Sequence, residues 1–193
     1  MLSEEKINLN YATFLKKLEK YSIYTEKLKE DEEFNSLLKS ASAFTNEDSG
    51  GAYEGSLIEH INSIGKYAFN INNLLPETIK VNLDSLIKVC LIHQISKSLM
   101  LVKNTVDYEV KKGRLFSFRD DIPAIKTGEY SIYLCNKYGV DLTTEEFEAV
   151  LSFDKSDDSQ TKFFGNKISK ILKSAIDMSI IERTDLYKQS KHK

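Results

Sequence analysis

Cysteine is nearly missing from this chain of 193 residues, with Cys90 and Cys135 the only two. Both lie in apolar, helix-patterned contexts, which argues against a disulfide framework and predicts two reduced packing thiols. Long apolar runs are missing as well. No stretch approaches the roughly 20 residues that span a bilayer, and the N-terminal MLSEEKINLN carries no secretory apolar region. These absences predict a cytoplasmic protein that does not enter membranes; a phage-encoded chain would sit in the host cytoplasm or the virion. Arginine is scarce, since every basic residue except Arg114, Arg119 and Arg183 is lysine. Together with abundant Asn, Ile and Tyr, that bias points to an AT-rich bacterial or phage genome. Positive charge is not in excess either. A net charge of -2 and a pI near 6.0 argue against general nucleic-acid binding and leave room only for a local basic patch.

What is present is enough apolar residue, 41% of the chain, to bury one full core. The stretch that organises it is Leu83 to Met100, LDSLIKVCLIHQISKSLM, patterned as one helix. Leu86, Val89, Cys90 and His93 recur at helical spacing, so the imidazole points along the buried face. Two readings stand side by side. His93 is a core histidine bonded to a neighbouring carbonyl, or it marks a ligand or catalytic site cut into the core.

Around that stretch the pattern is mostly helical. Residues 4 to 30 read as one long charged helix with a modest stripe at Tyr11, Phe14, Leu15, Leu18 and Tyr21, followed by a short helix over 32–40. Residues 41 to 56 form a loop rich in Gly, Ser and Asn; Gly50, Gly51 and Gly55 lack the strand and the Lys-Ser/Thr of a phosphate loop. Ser56, with Glu59 three residues on, predicts a capping box for a helix running to Leu75 and stopped by Pro76. His60 sits beside its apolar stripe. The alternating segment around Gly113 predicts a two-stranded hairpin over about residues 105–119. A helix over 125–138 ends at Gly139, and Thr143 with Glu146 predicts a second capping box for a helix to Phe153. The acidic stretch 154–160 reads as a solvated linker. A last helix, Thr161 to Arg183, presents Phe164, Ile168, Ile171, Ala175 and Met178 to the core with Asp177 alongside. Residues 184–193, with His192, read as a polar disordered tail.

Several of these segments together resemble the HD-domain metal-dependent phosphohydrolases, especially the small bacterial and phage members. Ala52-Tyr53-Glu54-Gly55-Ser56-Leu57-Ile58-Glu59-His60 is similar to the Gly-rich entry and first histidine of that family. Leu91-Ile92-His93-Gln94-Ile95-Ser96-Lys97 is similar to the run bearing its His-Asp pair, with Gln94 where Asp stands. Asp120-Asp121-Ile122-Pro123, Gly128-Glu129-Tyr130-Ser131 and Asp177-Met178 resemble its later segments. The likeness covers about residues 42–183. It implies an all-α, HD-like bundle with one small hairpin over residues 41–183, preceded by a helical extension (1–40) and followed by a tail (184–193). It also implies that His60, His93, Gln94 and Asp177 meet around one pocket.

The departures set the functional expectation. Gln94 removes a charge from the ligand set, and Gly50, Thr127 and Phe153 stand where members carry further histidines. Hard cations depend on anionic oxygens, so His60, His93 and Asp177 are left as a weak divalent metal site at best. No other cofactor is expected, and no residue is assigned a catalytic role. The sequence therefore predicts a catalytically impaired HD-fold protein, a binding or interaction module for a protein partner or a nucleotide. Lys97, Lys111, Lys112 and Arg119 are available for phosphates, and the first 40 residues are available as a docking element. Two alternatives stay open. One is a metal-dependent nucleotide or phosphodiester hydrolase in which Asp120, Asp121, Glu129 or Asp154 replaces the lost ligands. The other is an unrelated helical regulator.

Overall fold

The computed structural model describes residues 2–122, 124–154 and 165–191. Over these the protein is mainly helical with one two-stranded antiparallel sheet, the class the sequence predicts. Residues 155–160 of the acidic stretch, Pro123, Thr161, Phe164 and His192 lie outside the described residues.

The charged N-terminal segment divides. Helix α1 (Glu4–Lys20) is capped by Ser3, and the chain then turns through Ser22, whose φ is 57°, into α2 (Glu26–Glu30) and α3 (Glu32–Ser40). Thr25 and Asp31 cap the two short helices by accepting the amides of Leu28 and Phe34. The turn lets Ile23 enter the interior, where one continuous helix would have carried it past. Phe14, Leu18, Leu28, Phe34 and Leu38 join the same core as Leu86 and Leu172, so α1, α2 and α3 pack into the body.

Helix α4 (Ser56–Leu74) lies at the centre and packs on α1, α3, α5 (Leu83–Ile92) and α10 (Lys167–Lys191). Leu57, Ile61, Ile64 and Ala68, at helical spacing, supply its buried stripe. Leu86, Val89, Cys90, Ile64, Ala68 and Ile171 are all buried, as their spacing predicts. The expected capping box at Ser56 does not form. Gly55 takes the cap position at φ 79°, and the Ser56 hydroxyl donates to Gly51 O while accepting the Ala43 amide.

The stretch 83–100 is likewise not one helix. After α5 the backbone tightens into three-residue bonds (Ile95 N to Ile92 O, Lys97 N to Gln94 O) before a short α6 (Lys97–Met100). Strand β1 (Leu101–Lys103) follows, then α7 (Asp107–Lys111) and strand β2 (Phe116–Phe118), paired with Leu101 opposite Phe118. Most of the expected strand over 105–110 is therefore helical, from Asp107 onward. Asn104 Oδ1 accepts the Val106 amide and starts a turn that Gly113, at φ 83°, ends.

Helices α8 (Thr127–Tyr138) and α9 (Thr144–Ser152) end and begin as predicted, at a left-handed Gly139 and a complete Thr143–Glu146 capping box. Glu146 also meets Lys88 of α5 at 3.1 Å, in a largely buried pair. Helix α10 runs on to Lys191, so residues 184–191 are helical and not a loose tail. Its buried face runs through Ile168, Ile171, Ala175 and Ser179, which leaves Met178 exposed. Among the described residues no helix is long and apolar enough to cross a membrane.

Candidate functional site: a closed pair of imidazoles

His60 comes from the second turn of α4, and His93 is the C-cap of α5. Both rings are fully buried, and Gln94, next to His93 in the chain, is 4% exposed. The His93 ring has a defined orientation. Its Nδ1 lies 2.8 Å from Cys90 O, and a carbonyl only accepts, so Nδ1 carries the proton and Nε2 presents its lone pair. His60 Nδ1 is 3.1 Å from the Ser179 hydroxyl of α10. Nε2 of His60, Nε2 of His93 and Oε1 of Gln94 are buried with no hydrogen-bond partner among the described residues. Orphaned polar atoms in a core are uncommon enough to mark a site.

Two phenylalanines close it. The Phe44 ring sits 4.9 Å from His60, and Phe153 meets the His93 ring edge-on at 5.0 Å. Phe44 is itself pinned, because a side chain at Gly51 would collide with its ring at 2.5 Å. Lys97 completes the group. Its Nζ donates to Ala43 O at 2.8 Å and lies 5.2 Å from the Phe44 centroid, with no carboxylate among the described residues paired to it.

The electrostatics follow from this burial. Desolvation, reinforced by Lys97, Arg183 and His93, holds the His60 imidazole well below its ordinary range. Desolvation also lowers His93 to about 3, against the opposing bond to Cys90 O. The Lys97 ammonium, though part of the residue reaches solvent, is enclosed enough to fall to about 8. Among the described residues no carboxylate is in the set of charges bearing on either imidazole.

Asp177 does not join them. It is exposed on α10, and Ser179 takes the place facing His60, because the buried stripe advances by four residues from Ala175 and not three. Of the four carboxylates considered as replacements, Asp120 and Asp154 are exposed, Asp121 pairs with Arg119, and Glu129 is half-buried on α8. Among the described residues no group of three or more His, Cys, Asp and Glu could hold a metal ion. The described polar groups there are two neutral imidazoles, an amide and an ammonium, with none of the anionic oxygens on which hard divalent cations depend. Of the residues considered for phosphates, only Lys97 is at the buried group. Lys111 is exposed, Lys112 stacks on Tyr108, and Arg119 holds Asp121 through two hydrogen bonds.

Sequence reasoning missed Phe44, Ser179 and Arg183. Arg183 is buried beneath the Gly50–Gly51 loop, reaching Tyr53 and Glu59 at 3.3 and 3.6 Å, and it floors a cleft of about 820 Å³ on the far side of that loop. Only the close approach demanded by paired glycines hinted at it: a Cβ at Gly50 would lie 2.3 Å from Arg183 O. No protein-family model, curated protein or solved structure matches this chain.

Proposed function

We propose that this protein is a non-catalytic interaction module on an HD-like helical body, with its imidazole pocket retained as a closed polar core and its surface engaging a protein partner. The observation that carries the reading is the packing of Phe44 on His60 and of Phe153 on His93, in a place where no carboxylate among the described residues bears on either imidazole. A hydrolytic site needs water, an entry for substrate and charge to hold and activate a nucleophile. Here the imidazoles stay neutral, Lys97 adds positive charge that bears on both, and an aromatic ring packs on each. A nucleotide partner is supported less well, since Lys111, Lys112 and Arg119 lie outside the enclosed group.

One observation favours the second reading, a hydrolase with an altered ligand set. The Nδ1 proton of His93 is fixed on a backbone carbonyl, the arrangement that aims a free Nε2 at a metal. The two readings separate in one assay. Aryl phosphate monoesters and diesters are offered with Mn²⁺, and no turnover above background is expected. Metal-dependent turnover that disappears in His93→Ala would overturn the interaction reading.

A further inference from the structure

The second feature of the surface is an open apolar groove of about 380 Å³ where α1, α4 and α5 meet. Its apolar surface comes from Tyr21, Phe69, Leu83 and Ile87, all at least partly accessible, over buried Ile61 and Leu91. Gly65 makes the depression. A Cβ placed there would meet nothing within 4 Å, so the absent side chain is open space in the middle of a helix. Glycine costs about 1 kcal/mol at such a position, and no packing demand on this residue repays it.

The charges around the groove are of one sign. Its charged lining residues are Lys17, Lys20 and Lys66, and no carboxylate lines it, although acidic residues outnumber basic ones in the chain. Lys17 donates to the neutral Asn62 Oδ1 at 2.6 Å, and Lys20 lies over the Tyr21 ring. None of the three is in an ion pair among the described residues. Burial lowers the Lys17 pKa, so a carboxylate partner there would be favoured.

We infer that this groove is a docking site for an acidic amphipathic helix of a partner protein, its apolar stripe set over Gly65 between Tyr21, Phe69 and Ile87, its carboxylates meeting Lys17, Lys20 and Lys66. The inference rests on the interaction-module reading and names the surface that carries it. A helix is favoured over a fatty acid because the lysines come from two helices, α1 and α4, and a single terminal carboxylate engages one of them. Two helices flanking a shallow apolar floor also match the helix-in-groove mode of recognition, read through residues at i, i+3, i+4 and i+7.

The test uses the full chain and a fluorescein-labelled helical peptide of about 16 residues, long enough to hold a helical face, with Leu on one face and Glu on its flanks. Three competitors accompany it: the same peptide with Lys for Glu, the same with Ala for Leu, and dodecanoate. Fluorescence anisotropy is expected to show saturable binding of the Glu/Leu peptide, at least about tenfold tighter than either altered peptide and weakened by salt. Gly65→Leu, which fills the depression at a site with room for it, removes that binding. The triple variant Lys17→Glu, Lys20→Glu, Lys66→Glu transfers the preference to the Lys/Leu peptide. Failure of the Glu/Leu peptide to bind, equal binding of the Lys/Leu peptide, indifference to Gly65→Leu, or displacement by dodecanoate alone overturns the assignment. A metal-dependent hydrolase activity would defeat the module reading without altering these titrations, so the two failures are distinguishable.

Discussion

The Ser131 hydroxyl of α8 lies 3.2 Å from the His93 carbonyl and 3.0 Å from the Ser96 hydroxyl, and it accepts the Ser96 amide at 3.3 Å. Ser96 in turn donates to Thr127 O at 2.8 Å. This network occupies backbone groups that a continuous helix would use, and it holds the bend that presents His93. Ser131→Ala strands buried groups on both sides of the bend. We expect a loss of about 1–3 kcal/mol in urea unfolding, with the His93 ring resonances displaced in the imidazole region of the NMR spectrum.

Both buried imidazoles give the fold an acid limit. Their folded pKa values lie below the ordinary 6.5, to about 3 for His93, so the unfolded chain takes up protons first as pH falls. Stability from this source is complete above pH 6.5 and drains as pH falls below it, down to about 3 for His93, by up to about 1.4 kcal/mol per pH unit for each histidine. Urea midpoints measured from pH 7 to pH 4 should fall accordingly. His93→Gln should flatten that slope even where it lowers the midpoint at pH 7.

Phe44 keeps water from His60. Phe44→Ala should let the pocket hydrate, at a cost of about 1–3 kcal/mol for a half-buried ring. The His60 titration should then move up toward the ordinary range, because the desolvation that lowers it is relieved. An unchanged His60 titration in a folded variant would show that Phe44 is not the closure.

Two helical glycines should respond oppositely to one methyl group. At Gly65 there is open space, so Gly65→Ala gains helix propensity and raises stability by about 1 kcal/mol. At Gly128 the added Cβ would stand 2.3 Å from Val150 O across the α8–α9 contact. Gly128→Ala is therefore expected to cost about 1–3 kcal/mol through forced separation of the two helices. Thermal melts of the pair check both signs.

Much of the fold was legible where one local rule acted alone. The Thr143–Glu146 box, the stop at Gly139 and the stripe through Ile64 and Ala68 needed no knowledge of neighbours. Ser56 with Glu59 shows the limit. The motif was present, but the Ser56 hydroxyl was claimed by Gly51 O and Ala43 N, and Glu59 by Tyr53 and Arg183. The bend after Ile92 was hidden for the same reason, since Ser131 lies 35 residues beyond Ser96. At the candidate site, the burial of His93 was legible from helical spacing, whereas His60 lay beside its stripe and Gln94 was placed at a pocket only by the family resemblance. The exposure of Asp177 was not legible, because a helical face drifts with distance and the difference between positions 178 and 179 decides which residue faces inward. The phenylalanine closure had no sequence signal, as an aromatic before a Gly-rich loop reads the same inside a pocket or outside it.

The packing of α4 against α10 has a consequence for synthesis. Residues 56–74 leave the ribosome long before residues 167–191, yet α10 packs extensively on α4, meeting it through Ser179 at His60 and Glu182 at Ser63. Until α10 arrives, that face of α4 lacks its cover, and the nascent chain offers it to chaperones or to its neighbours on a polysome. Native closure on this topology is a late event, slowed by the long loop it must complete. A stalled or prematurely terminated product should therefore be cleared or aggregate, and would not persist as a folded fragment.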